Sequence, residues 1–244
     1  MADEAAALLR RWANGEVDPL ATNADGRDGF DELADGIAPD VEPWWRAFKT
    51  LFDEYGKSES SRLQLPFEVL LKVGGERLRQ RIAEVAHVNP KIASAFWYAM
   101  DDLGLTAEAY RLLGRKLTLE AFVRHEPRIP ARPSEPWPAD EPWEDGWSSM
   151  AIFYLTERDP DEAWALALEL IGVSADPGWL SVIGAFIIED LLKDHGDAMI
   201  DRIETEAGHS QRLQMALPTT RWAVPDHLMA RLEAAAGPYW RKKS

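Results

Sequence analysis

The sequence predicts an all-α fold, and three observations predict it. Strand patterning is missing: no alternating run of β-branched residues exceeds four. Helix-start signals recur at helical spacing, as in Asn89-Pro90, Asp159-Pro160 and Asp176-Pro177. The chain also matches itself, since a shift of 121 residues lays Phe67–Phe96 on Ile188–Leu217 without a gap, with 9 of 30 positions identical. Those positions include Glu68/Glu189, Leu71/Leu192, Gly75/Gly196, Arg81/Arg202 and Ala86/Ala207. The expectation is two diverged copies of one module of antiparallel helices joined by a proline-rich connector, divided as 1–126, 127–142 and 143–244.

The elements follow in order. The N-terminal MADEAAALLRRWANGEVD places acids before a short apolar run and arginines after it, the reverse of a secretory signal, so no export is expected. Thr22–Gly36 resembles a calcium loop only superficially. With Gly26 at the sixth position, Ala21 falls at the first, where a carboxylate is needed, so the stretch reads as an Asx-turn leading into a helix with Phe30 and Leu33. Ala38–Phe52 aligns, with a one-residue slip, on Arg158–Gly172, matching Glu42 to Glu162 and Trp44 to Trp164. Pro66, Gly75 and Asn89-Pro90 punctuate the first copy. Leu105–Leu113 meets Val224–Leu232 after a further slip.

Six of the 16 prolines fall between Pro127 and Pro142, which forbids helix. Trp137 and Trp143 make this connector a strap across a module rather than a free tether. In the second copy Asp159 caps a helix with Trp164, Ala167, Leu168 and Ile171 on one face, ending near Gly172. Asp176 caps the next, through Leu180, Ile183, Ile187, Leu191 and Leu192, with Gly196 as its expected stop. Asp197–Ala207 closes at Gly208, Ser210 caps a short helix to Leu217, and Pro225 opens the last, ending at Gly237. The longest apolar stretch, Trp179–Ile188, is too short to span a bilayer and reads as a buried helix.

Composition bounds the function. With 46% apolar and 28% charged residues and 11 tryptophans in 244 residues, the chain carries a proper core. Its net charge of −15 argues against nucleic acid and anionic membranes as partners, because both reward Lys and Arg. The absence of Cys removes disulfides and thiolate chemistry and fits a cytoplasmic protein. No GxGxxG, GxxxxGK[ST] or GxSxG occurs, so nucleotide cradles and the serine elbow have no support.

The candidate chemistry is sparse. His195 beside Asp194 and Asp197 could suit a hard metal or acid–base work, but no two-ligand spacing accompanies it, and a histidine near a helix C-terminus complements the helix dipole. His87 and His209 read as surface or capping residues. Glu68 and Glu189 each lie in an apolar stretch with an arginine, Arg81 or Arg202, thirteen residues on, so each is expected to form a structural pair with it. No catalytic residue, metal or cofactor is assigned.

Charge separates the copies. Glu157–His209 holds 13 acids and three bases, whereas Ile37–Val88 holds eight of each. An acidic surface steers a basic partner.

The second copy resembles an uncharacterised bacterial helical domain family. The resemblance rests on Asp159, Pro160, Glu162 and Trp164, then Glu189, Leu191, Leu192, His195 and Gly196, then Ile200, Ile203, Glu204, Ala216 and Leu217. It implies a helical fold and a bacterial cytosolic setting, and no activity. The first copy departs from the pattern with Gly74 where the second has His195. The expected function is a non-enzymatic protein-binding module, most concretely an acidic immunity- or antitoxin-type protein that occludes a basic toxin or nuclease. Asp190, Asp194, Asp197, Asp201 and Glu204 are its expected contact residues. The alternatives are a helical scaffold or regulatory adaptor, or an enzyme using Glu189, Asp190 and His195.

Overall fold

Local caps and glycines set the helix ends in the computed structural model, which describes residues 2–19, 27–55, 62–125, 143–174, 176–220 and 223–240. Among these residues every regular element is helical and there is no strand. The proline-rich connector and residues 22–26 of the calcium-loop-like stretch lie outside the described residues. The chain divides into two units, Met1–Trp147 and Ser148–Ser244.

In the first unit, α1 (Ala2–Ala13) packs on α3 (Val41–Glu54), and α2 (Gly29–Ile37) packs on α4 (Gln64–Ala86). Asp28 accepts from the Phe30 and Asp31 amides and so caps α2, the Asx-type entry expected there. Asp40 caps α3 through the Glu42 amide. Asn89 caps α5 (Pro90–Asp102), with Pro90 in its first turn. α6 (Thr106–His125) completes the helices, and a 3-10 turn at Trp143–Asp145 rests on α5 and α6. Arg124 grips Asp145 with two hydrogen bonds of 3.1 and 2.8 Å, which ties this turn to α6.

Two of these helices fold sharply at glycine. Gly75 in α4 has φ 64°, ψ −169°, and Gly114 in α6 has φ 78°, ψ 162°, a region that a Cβ excludes. α4 packs on α5 and α6, and before its break Gln64 Nε2 donates to the Ala95 carbonyl of α5 at 3.4 Å. Arg79 then reaches Glu108 of α6 at 2.9 Å in a largely buried ion pair. The core is aromatic: Phe67 meets Phe48 and Phe52 with ring centroids 5.2 Å apart in both cases, and Trp97 lies 5.7 Å from Trp147.

The second unit repeats the logic with different helices. α7 (Trp147–Arg158) leads to α8 (Pro160–Val173), capped by Asp159 through the Glu162 amide. α9 (Pro177–Ile183) is capped by Asp176 and runs into a π-helical turn, Gly184–Ile188, closed by the Glu189 amide bonding to the Gly184 carbonyl. α10 (Glu189–Ala207) follows directly. Ser210 caps α11 (Gln211–Ala216), and α12 (Asp226–Ala236) follows Pro225. α12 packs along α10, and α11 packs on α9.

Two expectations are corrected here. The stretch Trp179–Ile188 is neither one α-helix nor wholly buried, because the π turn interrupts it and leaves Ala185 and Phe186 exposed. The stop expected at Gly196 falls one residue earlier: two helical segments meet across a kink at His195 (φ −133°, ψ 22°), and the buried Gly196, without positive φ, belongs to the second. The physical reason is packing. A Cβ on Gly196 would come 2.3 Å from Leu228 Cδ1, so this glycine admits α12 rather than stopping α10. No helix among the described residues is long and apolar enough to cross a membrane.

Candidate functional site

At 100° per residue, Asp190, Asp194, Asp197, Asp201 and Glu204 fall within an arc of about 80° on an ideal α-helix. On α10 Asp190 and Asp194 share one face before the break at His195, and Asp197, Asp201 and Glu204 share one after it; these carboxylates make up the row. The opposite face carries Leu191, Leu192, Met199, Ile200 and Ile203, all buried, which fixes the row outward. The break at His195 bends the row in its first half. There His195 Nε2 donates to the Thr156 carbonyl at 2.9 Å and holds the bend against α7.

The row is not electrostatically uniform. At its far end α12 presents His227 and Arg231, one turn apart. Arg231 donates to Glu204 Oε1 at 2.8 Å and to Asp201 Oδ1 at 2.5 Å, and His227 Nε2 meets Asp197 Oδ1 at 2.9 Å. The Arg231 hydrogen bond lowers the Glu204 pKa, and those two carboxylates in turn raise that of Arg231. Near the α7 end the cationic company is thinner. Lys193 stands 3.8 Å from Asp194, and Asp190 has its pKa raised, first by burial and then by Asp194, Glu189 and Glu157, with Lys193 opposing. A depression of about 300 Å³ lies at the bend, lined by His195, Gly196, Asp197, Pro225, His227 and Leu228 among others.

The expected glutamate–arginine pairs do not form. Arg81 donates to Glu42 at 2.9 Å, across to α3, and holds that carboxyl below its ordinary pKa. Arg202 bonds Asp161 in the first turn of α8. Each arginine is instead taken by a carboxylate in the first turn of an earlier helix, α3 for Arg81 and α8 for Arg202. Glu68 instead faces Asp102 at the end of α5. Burial, followed by the Asp102 charge and hydrogen bond, pushes its pKa up to about 7. Glu189 is buried and accepts from the Ala223 amide at 3.0 Å through Oε1, tethering the backbone ahead of α12.

Glu189 and His195 thus engage different backbone segments, the Ala223 amide and the Thr156 carbonyl. No group of three or more His, Asp or Glu side chains among the described residues is arranged to hold a metal ion. His87 and His209 are exposed in the turns after α4 and α10, and His87 Nε2 donates to the Leu112 carbonyl at 3.3 Å. Sequence reasoning missed His227 and Arg231. The available signal was their four-residue spacing on the last helix, following an acidic one.

No curated protein and no solved structure matches the chain. Residues 135–239 match the model of a family of unknown function (DUF6869), and this span contains every residue on which the helical-domain resemblance rests. The C-terminal part of this chain is therefore similar to an uncharacterised domain family.

Proposed function

We propose that this chain is a non-enzymatic protein-binding module, most concretely an acidic immunity- or antitoxin-type protein of the cytoplasm, whose Glu157–His209 surface occludes a basic toxin or nuclease. The observation that carries this reading is the single-faced carboxylate row of α10. From Asp190 to Glu204 it extends about 21 Å at 1.5 Å per residue, a length suited to a protein surface rather than to a small ligand. Arg231 and His227 engage Asp197, Asp201 and Glu204, so Asp190 and Asp194 carry most of the attraction. The test is capture from a lysate of the source bacterium on the immobilised full chain, compared with a chain carrying Asp194→Lys, Asp197→Lys and Asp201→Lys. A strongly basic protein should be held by the first, lost from the second, and released by salt. An unchanged set of captured proteins sinks the reading.

We infer also that the chain contains two diverged copies of one helical module, with the proline-rich connector between them. Two matched ion pairs support this. Arg81 and Arg202, equivalent under the 121-residue shift, each reach a carboxylate in the first turn of the preceding matched helix, Glu42 of α3 and Asp161 of α8. Those helices are capped by Asp40 and Asp159 and carry Trp44 and Trp164 inward. The matched helices α4 and α10 break at Gly75 and His195, one position apart in register. A crystal structure in which α3–α4 and α8–α10 superpose, with the two ion pairs overlaid, supports common descent; helices that cannot be overlaid exclude it.

A further inference from the structure

We propose that the second unit recognises its partner through an apolar anchor site formed by Met150, Phe153 and Phe186, and that the partner presents an apolar side chain flanked by basic residues. The inference rests on the protein-binding reading above and deepens it.

The site arises from two rows of residues. On α7, Met150, Phe153, Tyr154 and Glu157 follow the i, i+3, i+4, i+7 spacing of one helix face, and all are exposed or half-exposed. The opposite face, Ala151, Ile152, Leu155 and Thr156, is buried. Met150, 47% exposed, lies on the outward face beside half-exposed Phe153 and Tyr154, and it is the grouping of these apolar side chains that marks the face. The second row comes from the π turn. Its wide ring keeps Ile183, Ile187 and Ile188 in the core while turning Phe186 outward, where it is 37% exposed and its ring lies 6.0 Å from that of Phe153. The turn is held in place by close backbone approach: a Cβ on Gly184 would come 2.2 Å from both the Ala216 carbonyl oxygen and Thr219 Oγ1. The aromatic pair is thus mounted on a rigid support, the condition under which an exposed ring contributes most to binding.

Charge decides the occupant. Glu157 ends the α7 row, and Asp190, four residues after Phe186, ends the other; the two carboxylates lie within electrostatic reach of each other. Asp194 continues that rim along α10. An apolar centre with an acidic rim fits a basic amphipathic surface. A second copy of this chain would bring the same acids against themselves, and an anionic membrane would be repelled by them.

The probe is a synthetic amphipathic peptide of leucine and lysine, about 14 residues long, with a scrambled peptide of the same composition and a leucine–glutamate counterpart as controls. Fluorescence anisotropy with the full chain should show the amphipathic basic peptide binding at least about tenfold more tightly than either control. The paired change Met150→Ser with Phe186→Ser should remove about tenfold of that affinity, and Met150→Ser alone, at the more exposed position, a measurable part of it. Glu157→Lys should weaken binding with reduced salt dependence. Equal binding of the scrambled peptide, or serine variants that fold and bind as the parent does, overturns the proposal. Sedimentation showing a dimer that Phe186→Ser dissolves also overturns it, because the occupant is then a second copy. Loss of peptide binding on reversal of Asp194, Asp197 and Asp201, with none on the serine changes, sinks this inference and leaves the acidic-surface reading standing. The opposite pattern keeps the anchor site and removes the acidic row from the contact.

Discussion

Glu68 shows how one residue's environment becomes a property of the fold. Its carboxyl is half-buried on the first half of α4, has one oxygen with no hydrogen-bond partner, and shares a hydrogen bond with Asp102. Burial and that neighbour push its pKa up to about 7. In the unfolded chain the value returns to the ordinary glutamate range, so between the two values the folded state binds more protons than the unfolded one. Stability from this group is therefore fully present below the unfolded value and is lost as the pH rises through about 7. Glu68→Gln, which mimics the protonated form, should flatten the fall in thermal stability between mildly acidic and mildly alkaline pH. It should also stabilise the protein at the alkaline end by on the order of 1 kcal/mol, the full shift being discounted for solvent screening. Parallel melting curves against pH for parent and variant would remove Glu68 from the account. At this scale the sequence was readable wherever the chemistry is local: Asp28, Asn89, Asp159, Asp176 and Ser210 all cap the helices they precede. Partners from distant helices were not readable. Arg81 and Arg202 reach carboxylates about 40 positions upstream, and no spacing rule within one helix reveals that.

The elements were largely legible because caps, prolines and the 3.6-residue period are written into short segments. What escaped was the single inserted residue of the π turn. Trp179–Ile188 is apolar throughout, so its period gives no sign of where the register shifts. The cause is visible only in packing, where Gly184 lies against the backbone of Ala216 and the side chain of Thr219. Gly184→Ala should then force those groups apart and lower stability by about 1–3 kcal/mol, measured by urea denaturation, because the contact includes a backbone carbonyl that cannot rotate away. A neutral effect would mean that the turn is not held there. The same packing sets the site, since release of the turn would let Phe186 move relative to Phe153. Gly75 punctuates α4, where two helical segments meet at its positive φ, whereas Gly196 lies beside a break and is needed for a close contact with Leu228; an isolated glycine does not distinguish the two.

The charge of the whole molecule is less lopsided than the two matched segments suggest. Of the 42 acids, 27 lie in residues 1–147 and 15 in 148–244; of the 27 bases, 18 and 9 do, giving −9 and −6. The excess of −10 in Glu157–His209 is therefore a local surface, partly offset by bases elsewhere in its own unit, Arg212 and Arg231 among them. That local character suits contact with one partner better than general repulsion or solubility, since screening confines its reach to about 10 Å at moderate salt. The acidity of that surface was legible from composition. Its division into a compensated end, under Arg231, and a more open end near Asp190 was not, because it depends on α12 packing along α10.

Whether the acidic face of α10 holds a basic protein, as proposed, is decided by the dissociation constant for the basic protein captured on the chain. It should be measured by calorimetry for the parent and for the Asp194→Lys, Asp197→Lys, Asp201→Lys variant, at low and high salt. Charge reversal should cost about 100-fold or more in affinity, and binding of the parent should weaken steeply with salt. Equal affinities for parent and variant at both salt concentrations would contradict it.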